Sequence, residues 1–128
     1  MVEKNYGYTG PGATSGGVTT LPGLSRIDLG ANDQGNVIWT SAERIPSLIT
    51  KASLANGLIY TYSKDPRPGT TDAWYFTAID FNTGRTVYKQ LAGTGLLDNN
   101  HYSGLHLGPD GTIYVGVGGG VVALRDGG

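Results

Sequence analysis

Two stretches of this 128-residue chain carry residue types that could do chemistry. The first, LLDNNHYSGLH at 96–106, offers Asp98, Asn99, Asn100, His101 and His106 as metal ligands. Imidazole nitrogens and carboxylate oxygens suit such a role, but the two histidines are five residues apart. On one extended strand an odd spacing sends side chains to opposite faces, so they cannot share an ion. The stretch reads as a polar connection with surface histidines. The second, VGVGGGVV at 115–122, invites a dinucleotide fingerprint. That motif needs glycine where Val121 stands and a helix whose N-terminus can meet phosphate. Neither is present in the pattern, and a glycine-rich hairpin is the expectation.

Carboxylates give a third lead. Asp28 in SRIDL and Asp80 in TAIDF occupy matching positions of two similar segments, and Arg125 takes that place in a third. A carboxylate that recurs in a repeat slot is better suited to accepting backbone hydrogen bonds at a strand end than to catalysis. No paired acid and base is visible. The absence of cysteine excludes disulfides, thiol nucleophiles and thiolate metal sites.

The elements that must position these residues are strands. Twenty-two glycines and eight tyrosines against one methionine favour turns and pleated surface. The length is that of one domain, and the net charge of -1 leaves no footprint for nucleic acid or an anionic membrane. No apolar run approaches the roughly 18 residues of a membrane-spanning helix. Met1 leads into VEKNYGYTG, without the basic and apolar regions of a signal peptide.

Sliding the chain by 52 residues sets YT at 8–9 on YT at 60–61 and SRIDL on TAIDF. A shift of 49 sets Gly35 on Gly84 and VIW (37–39) on TVY (86–88), so the first copy holds three extra residues in its turn. A shift of 54 sets NGLIY on DGTIY, and VVALRD at 121–126 resembles FTAIDF. The repeat predicts four strands in the middle copy: A near 47–54, B at 58–63, C at 74–81 and D at 85–91. Asn56-Gly57, Asp110-Gly111 and Asn82-Thr83-Gly84 supply the hairpin turns. Ile45, Leu48, Ile49 and Ala52 have helical spacing with Ser47 as a cap, but the third copy has a poor helix pattern there. The repeat favours a strand.

Short four-stranded units repeating every 40 to 50 residues suggest β-propeller blades. Ile59-Tyr60, Ala78-Ile79-Asp80, Thr83-Gly84 and Tyr88 resemble the PQQ-like (quinoprotein-like) propeller repeat. Ile27-Asp28, Gly35 and Trp39 match it in the first copy, and Ile113-Tyr114 with Ala123-Leu124 in the third. Related YVTN and WD40-type blades share much of this pattern. The resemblance implies an all-β chain of four-stranded antiparallel blades, about two and a half in number: a partial blade at 5–45, a complete one at 46–91 and a partial one at 100–128. Trp39 and Tyr88 then share a slot as large fillers between blades. The resembled family is often exported. Its enzymes hold PQQ and calcium at the axis of a complete ring, and no residue set here matches those ligands. The expectation is a chain without a cofactor.

Rings of this kind take about four or more blades. Self-association or a complementary propeller fragment is therefore the expected partner, with a dimer or trimer as the expected assembly. The B–C loops, 10–23 and 63–73, are long and share one face with the D–A connections, whereas the opposite turns are short. Tyr62, Lys64, Arg67, Asp72 and Trp74 offer aromatic and charged groups there for a polar ligand or protein. Tolerated surface insertion is the other reading. The sequence thus points to a non-catalytic scaffold, or else to part of a quinoprotein-type or hydrolytic enzyme whose active site needs further blades.

Overall fold

The computed structural model describes residues 1–3, 5–46 and 50–125. Among these residues ten strands appear: β1 (Val2–Glu3), β2 (Leu24–Leu29), β3 (Gly35–Ser41), β4 (Lys51–Ser53), β5 (Leu58–Lys64), β6 (Ala73–Asp80), β7 (Thr86–Thr94), β8 (Leu105–Leu107), β9 (Ile113–Val117) and β10 (Gly120–Leu124). They form three antiparallel sheets, ordered β1-β2-β3, β4-β5-β6-β7 and β10-β9-β8. No α-helix occurs among the described residues. The chain is a partial β-propeller of three, four and three strands.

Local chemistry fixes the hairpins. Gly57 and Gly84 sit at φ 69 and 72, a region closed to most side chains, and each closes a tight turn. The Gly84 amide donates to the Asp80 carbonyl at 2.9 Å. Val117 pairs with Gly120 across Gly118-Gly119, so the glycine-rich segment is a hairpin between β9 and β10. The repeat is visible even in its irregularities. A bulge falls between Arg26 and Ile27 in the first sheet and between Ala78 and Ile79 in the second, 52 residues on. Asp28 pairs with Asn36, eight residues away, whereas the Asp80 amide reaches the Arg85 carbonyl, five away. Those three additional residues lengthen the first hairpin.

Two expectations change. The copy of strand B placed at Tyr8-Thr9 is not a strand; the partner of β2 is β1, with Val2 opposite Ser25. A two-residue strand carries too little pattern to be recognised, and the tyrosine-threonine match is compositional. Tyr88 is not a core filler: it is 44 % exposed and lines a hollow, although its counterpart Trp39 is half-buried. Strand A is observed at Lys51–Ser53, while Ser47, Leu48 and Ile49 of the competing helical reading lie outside the described residues.

The core centres on the middle sheet. Ile59, Tyr62, Trp74, Phe76 and Ile79 meet Leu24 and Ile45 from the first third of the chain and Leu105, Ile113 and Val115 from the last sheet. Burying each aliphatic side chain of this size contributes about 1.5–3 kcal/mol. Tyr62 and Trp74 stack with ring centroids 5.8 Å apart, and Phe76 meets Tyr62 edge-on at 5.6 Å.

Candidate functional site

One face of the segment carries the long connections: residues 5–23, 42–46, 65–72 and 95–104. They are tied to one another rather than splayed. The Arg67 amide donates to the Gly17 carbonyl at 2.7 Å, and the Gly69 amide to the Gly16 carbonyl at 3.1 Å. A side chain at Gly17 would put its Cβ 1.8 Å from the Arg67 carbonyl oxygen, so only glycine permits the approach.

Beneath that contact lies a buried ion pair. Lys64 Nζ is 3.0 Å from Asp72 Oδ1, with the two side chains 0 % and 5 % exposed. Lys64 Nζ also donates to the Val18 carbonyl, and Asp72 Oδ1 accepts from the Gly17 amide at 2.7 Å. The ammonium lies 5.6 Å from the Trp74 ring. A buried charge pair is better tolerated when each partner gains further hydrogen bonds, and here Lys64 and Asp72 each gain one from the backbone. Its role is to clamp the loop after β1 onto the end of β5.

Other ties complete the face. Trp74 Nε1 donates to the Gly95 carbonyl at 3.1 Å, and the Tyr62 hydroxyl to the Asp98 carbonyl at 3.1 Å. Burial, and then the negative charge of Asp98, push the Tyr62 hydroxyl pKa well above its ordinary value, so it stays a proton donor. Asn99 Nδ2 donates to Thr14 Oγ1 at 3.3 Å. Tyr8 and His101 share a hydrogen bond of 2.5 Å, and Asn5 Nδ2 donates to the Tyr102 hydroxyl at the same distance. His101 and Tyr102 adopt φ 40 and 66, strained values that this packing sustains.

The predicted site residues therefore divide. Tyr62, Lys64, Asp72 and Trp74 lie in the interior beneath the loops, and Arg67 stands exposed on the surface. Exposed in the same set of connections are Tyr6, Val18, Leu21 and Tyr102, none of which the sequence singled out. His101 sits in a turn and His106 on β8, so they share no strand. Asn99 and Asn100 are buried rather than on a surface loop. Among the described residues no group of three or more His, Cys, Asp or Glu side chains is placed to hold a metal ion.

The opposite face is built locally. Asp80 Oδ1 accepts from Thr83 Oγ1 at 2.8 Å and from the amides of Thr83 and Asn82 at 2.7 and 3.0 Å. These bonds, the Thr83 hydroxyl first, hold its carboxyl below the ordinary range. Asp110 is lowered in the same way, chiefly by the Thr112 hydroxyl. Asp28 differs: its carboxylate holds Arg26 in a two-pronged pair, with bonds of 2.8 and 2.5 Å.

No family model matches the chain, and no solved structure matches it. Over 88 residues, 69 % of its length, it is 33 % identical to a lanthanide-dependent methanol dehydrogenase of Methylacidiphilum fumariolicum (strain SolV). The matched region spans 13 % of that curated relative.

Proposed function

We propose that this chain is a PQQ-like propeller segment acting as a non-catalytic scaffold, which assembles with further blades to close a ring. One observation carries the reading. Among the described residues the first sheet ends on the two-residue β1 with no inner strand beside it, and the third ends on β10 with no outer one. Open edges with apolar side chains such as Val2 at 53 % and Val121 at 70 % exposure favour pairing with another strand. The knitted loop face, with Arg67 at its surface, is then the binding surface for a polar ligand or protein. Tyr62, Lys64, Asp72 and Trp74 hold it in shape from below.

Light scattering coupled to size exclusion tests the assembly. The expected result is one discrete dimer or trimer. A cooperatively melting monomer near 13.4 kDa would overturn it.

A second reading is supported by the methanol dehydrogenase similarity: a piece of a propeller enzyme whose active site needs other blades. Among the described residues no three Asp or Glu carboxylates are grouped to hold calcium. Calorimetric titration with PQQ and calcium is expected to show no stoichiometric binding. Micromolar or tighter binding would transfer support to the enzyme.

A further inference from the structure

The two junctions between sheets use one slot differently. In the first, Arg26 lies opposite Trp39. The guanidinium sits 4.3 Å from the Phe81 ring centroid and donates to the Phe81 carbonyl at 3.2 Å, and Trp39 Nε1 donates to the same oxygen at 2.9 Å. That junction is full. In the second, the corresponding row is Tyr60, Ala78 and Tyr88 across β5, β6 and β7. Ala78 stands where Arg26 stood, its methyl group fills almost nothing, and a hollow of about 360 Å³ opens above it. Ile113 and Leu124 of the third sheet form the facing wall, and Arg125 stands at its edge.

We propose that this hollow binds a small planar carboxylate. Neighbouring strands are about 4.8 Å apart, so the two tyrosine backbones flank Ala78 with about 10 Å between them, room for one ring. The volume falls in the range of ligand pockets, roughly 300–1,000 Å³. Among the described residues Arg125 has no ion-pair partner, and it is the charged group lining the hollow. A guanidinium recognises a carboxylate through two parallel hydrogen bonds. The Tyr60 hydroxyl accepts from Asn56 Nδ2 at 2.6 Å, which leaves its proton available to a ligand oxygen. Apolar walls take the ring and donors take the acid.

The probe is benzoate, with benzyl alcohol as its uncharged counterpart, followed by amide chemical shifts of the full chain. The decisive variant is Ala78→Arg, which fills the hollow as Arg26 fills the first junction. Asp80, two residues on, offers the new guanidinium the partner that Asp28 gives Arg26. Expected are saturable benzoate shifts at Tyr60, Ala78, Tyr88 and Leu124. Binding should weaken about tenfold or more in Arg125→Gln, comparable to the loss of one charge-assisted hydrogen bond, and vanish in Ala78→Arg. Benzyl alcohol should bind far more weakly than benzoate. Should Ala78→Arg fail to fold, Ala78→Leu narrows the same space and is read in its place. Absence of saturable binding, or binding that the filled variant retains, overturns the proposal.

Discussion

The two faces of this segment solve one problem, closing connections between strands, by opposite means. On the turn face carboxylates cap their own hairpins: Asp80 accepts from amides two and three residues away. On the long-loop face local turns are joined by distant ties, as in Gly17 to Asp72 across 55 residues and Lys64 to Val18 across 46. Side chains that look functional can thus be absorbed by architecture when the loops are long enough to need internal support. The binding proposed for the long-loop face then falls to its outward groups.

The largest test of this contrast is Lys64→Ala. It leaves Asp72 buried without its cation and should cost about 3–5 kcal/mol in urea unfolding. Replacing both partners, Lys64→Met with Asp72→Leu, should recover much of the loss. A single-variant cost under about 1 kcal/mol would show that the clamp is not structural. Next comes Gly17→Ala, expected to cost about 2–3 kcal/mol because φ is 79 and the Arg67 carbonyl blocks the methyl. Gly16→Ala is the control: its φ is 68, but nothing lies within 4 Å, so only about 1 kcal/mol is expected. Equal losses at the two glycines would mean that the close approach does not matter.

On the turn face the effect is smaller and depends on pH. The folded carboxyls of Asp80 and Asp110 lie below their ordinary value of 3.8. Below that value the unfolded chain binds more protons than the folded one. The stabilisation is therefore full above it and is lost as pH falls through it toward the folded values. Asp80→Asn should flatten this acid limb of the stability curve while leaving neutral stability closer to normal than either Lys64→Ala or Gly17→Ala. An unchanged limb would assign the acid sensitivity elsewhere. Smallest of all is Arg67→Ala, whose effect on stability should stay within about 0.5 kcal/mol. A loss as large as that of Gly17→Ala would place this side chain with the buried four.

The strands of the middle and third sheets were legible because β-branched and aromatic runs are punctuated by Asn-Gly, Asp-Gly and Thr-Gly. β1 was not, since its two residues have no periodicity to read. Lys64 and Asp72 were legible as charged groups near the long loops, but not as paired or buried. Their burial depends on Gly17 and Val18 arriving from a different connection, a long-range event that local pattern does not encode. Ala78 shows the converse. Its alignment with Arg26 was visible in the sequence, but a missing side chain becomes a hollow only when a facing sheet gives it a second wall.

The ties that hold residues 5, 14 and 8 to residues 102, 99 and 101 span 97, 85 and 93 positions. Chain closure over such separations is entropically costly before any contact is gained, and topologies rich in distant contacts fold slowly. The middle sheet, with its adjacent hairpins, is expected to form first and the long-loop face last. Amide protons around Gly17 and Asn99 should accordingly exchange through partial openings that leave β5 and β6 protected. The loop face then has a lifetime of its own, separate from that of the blades beneath it.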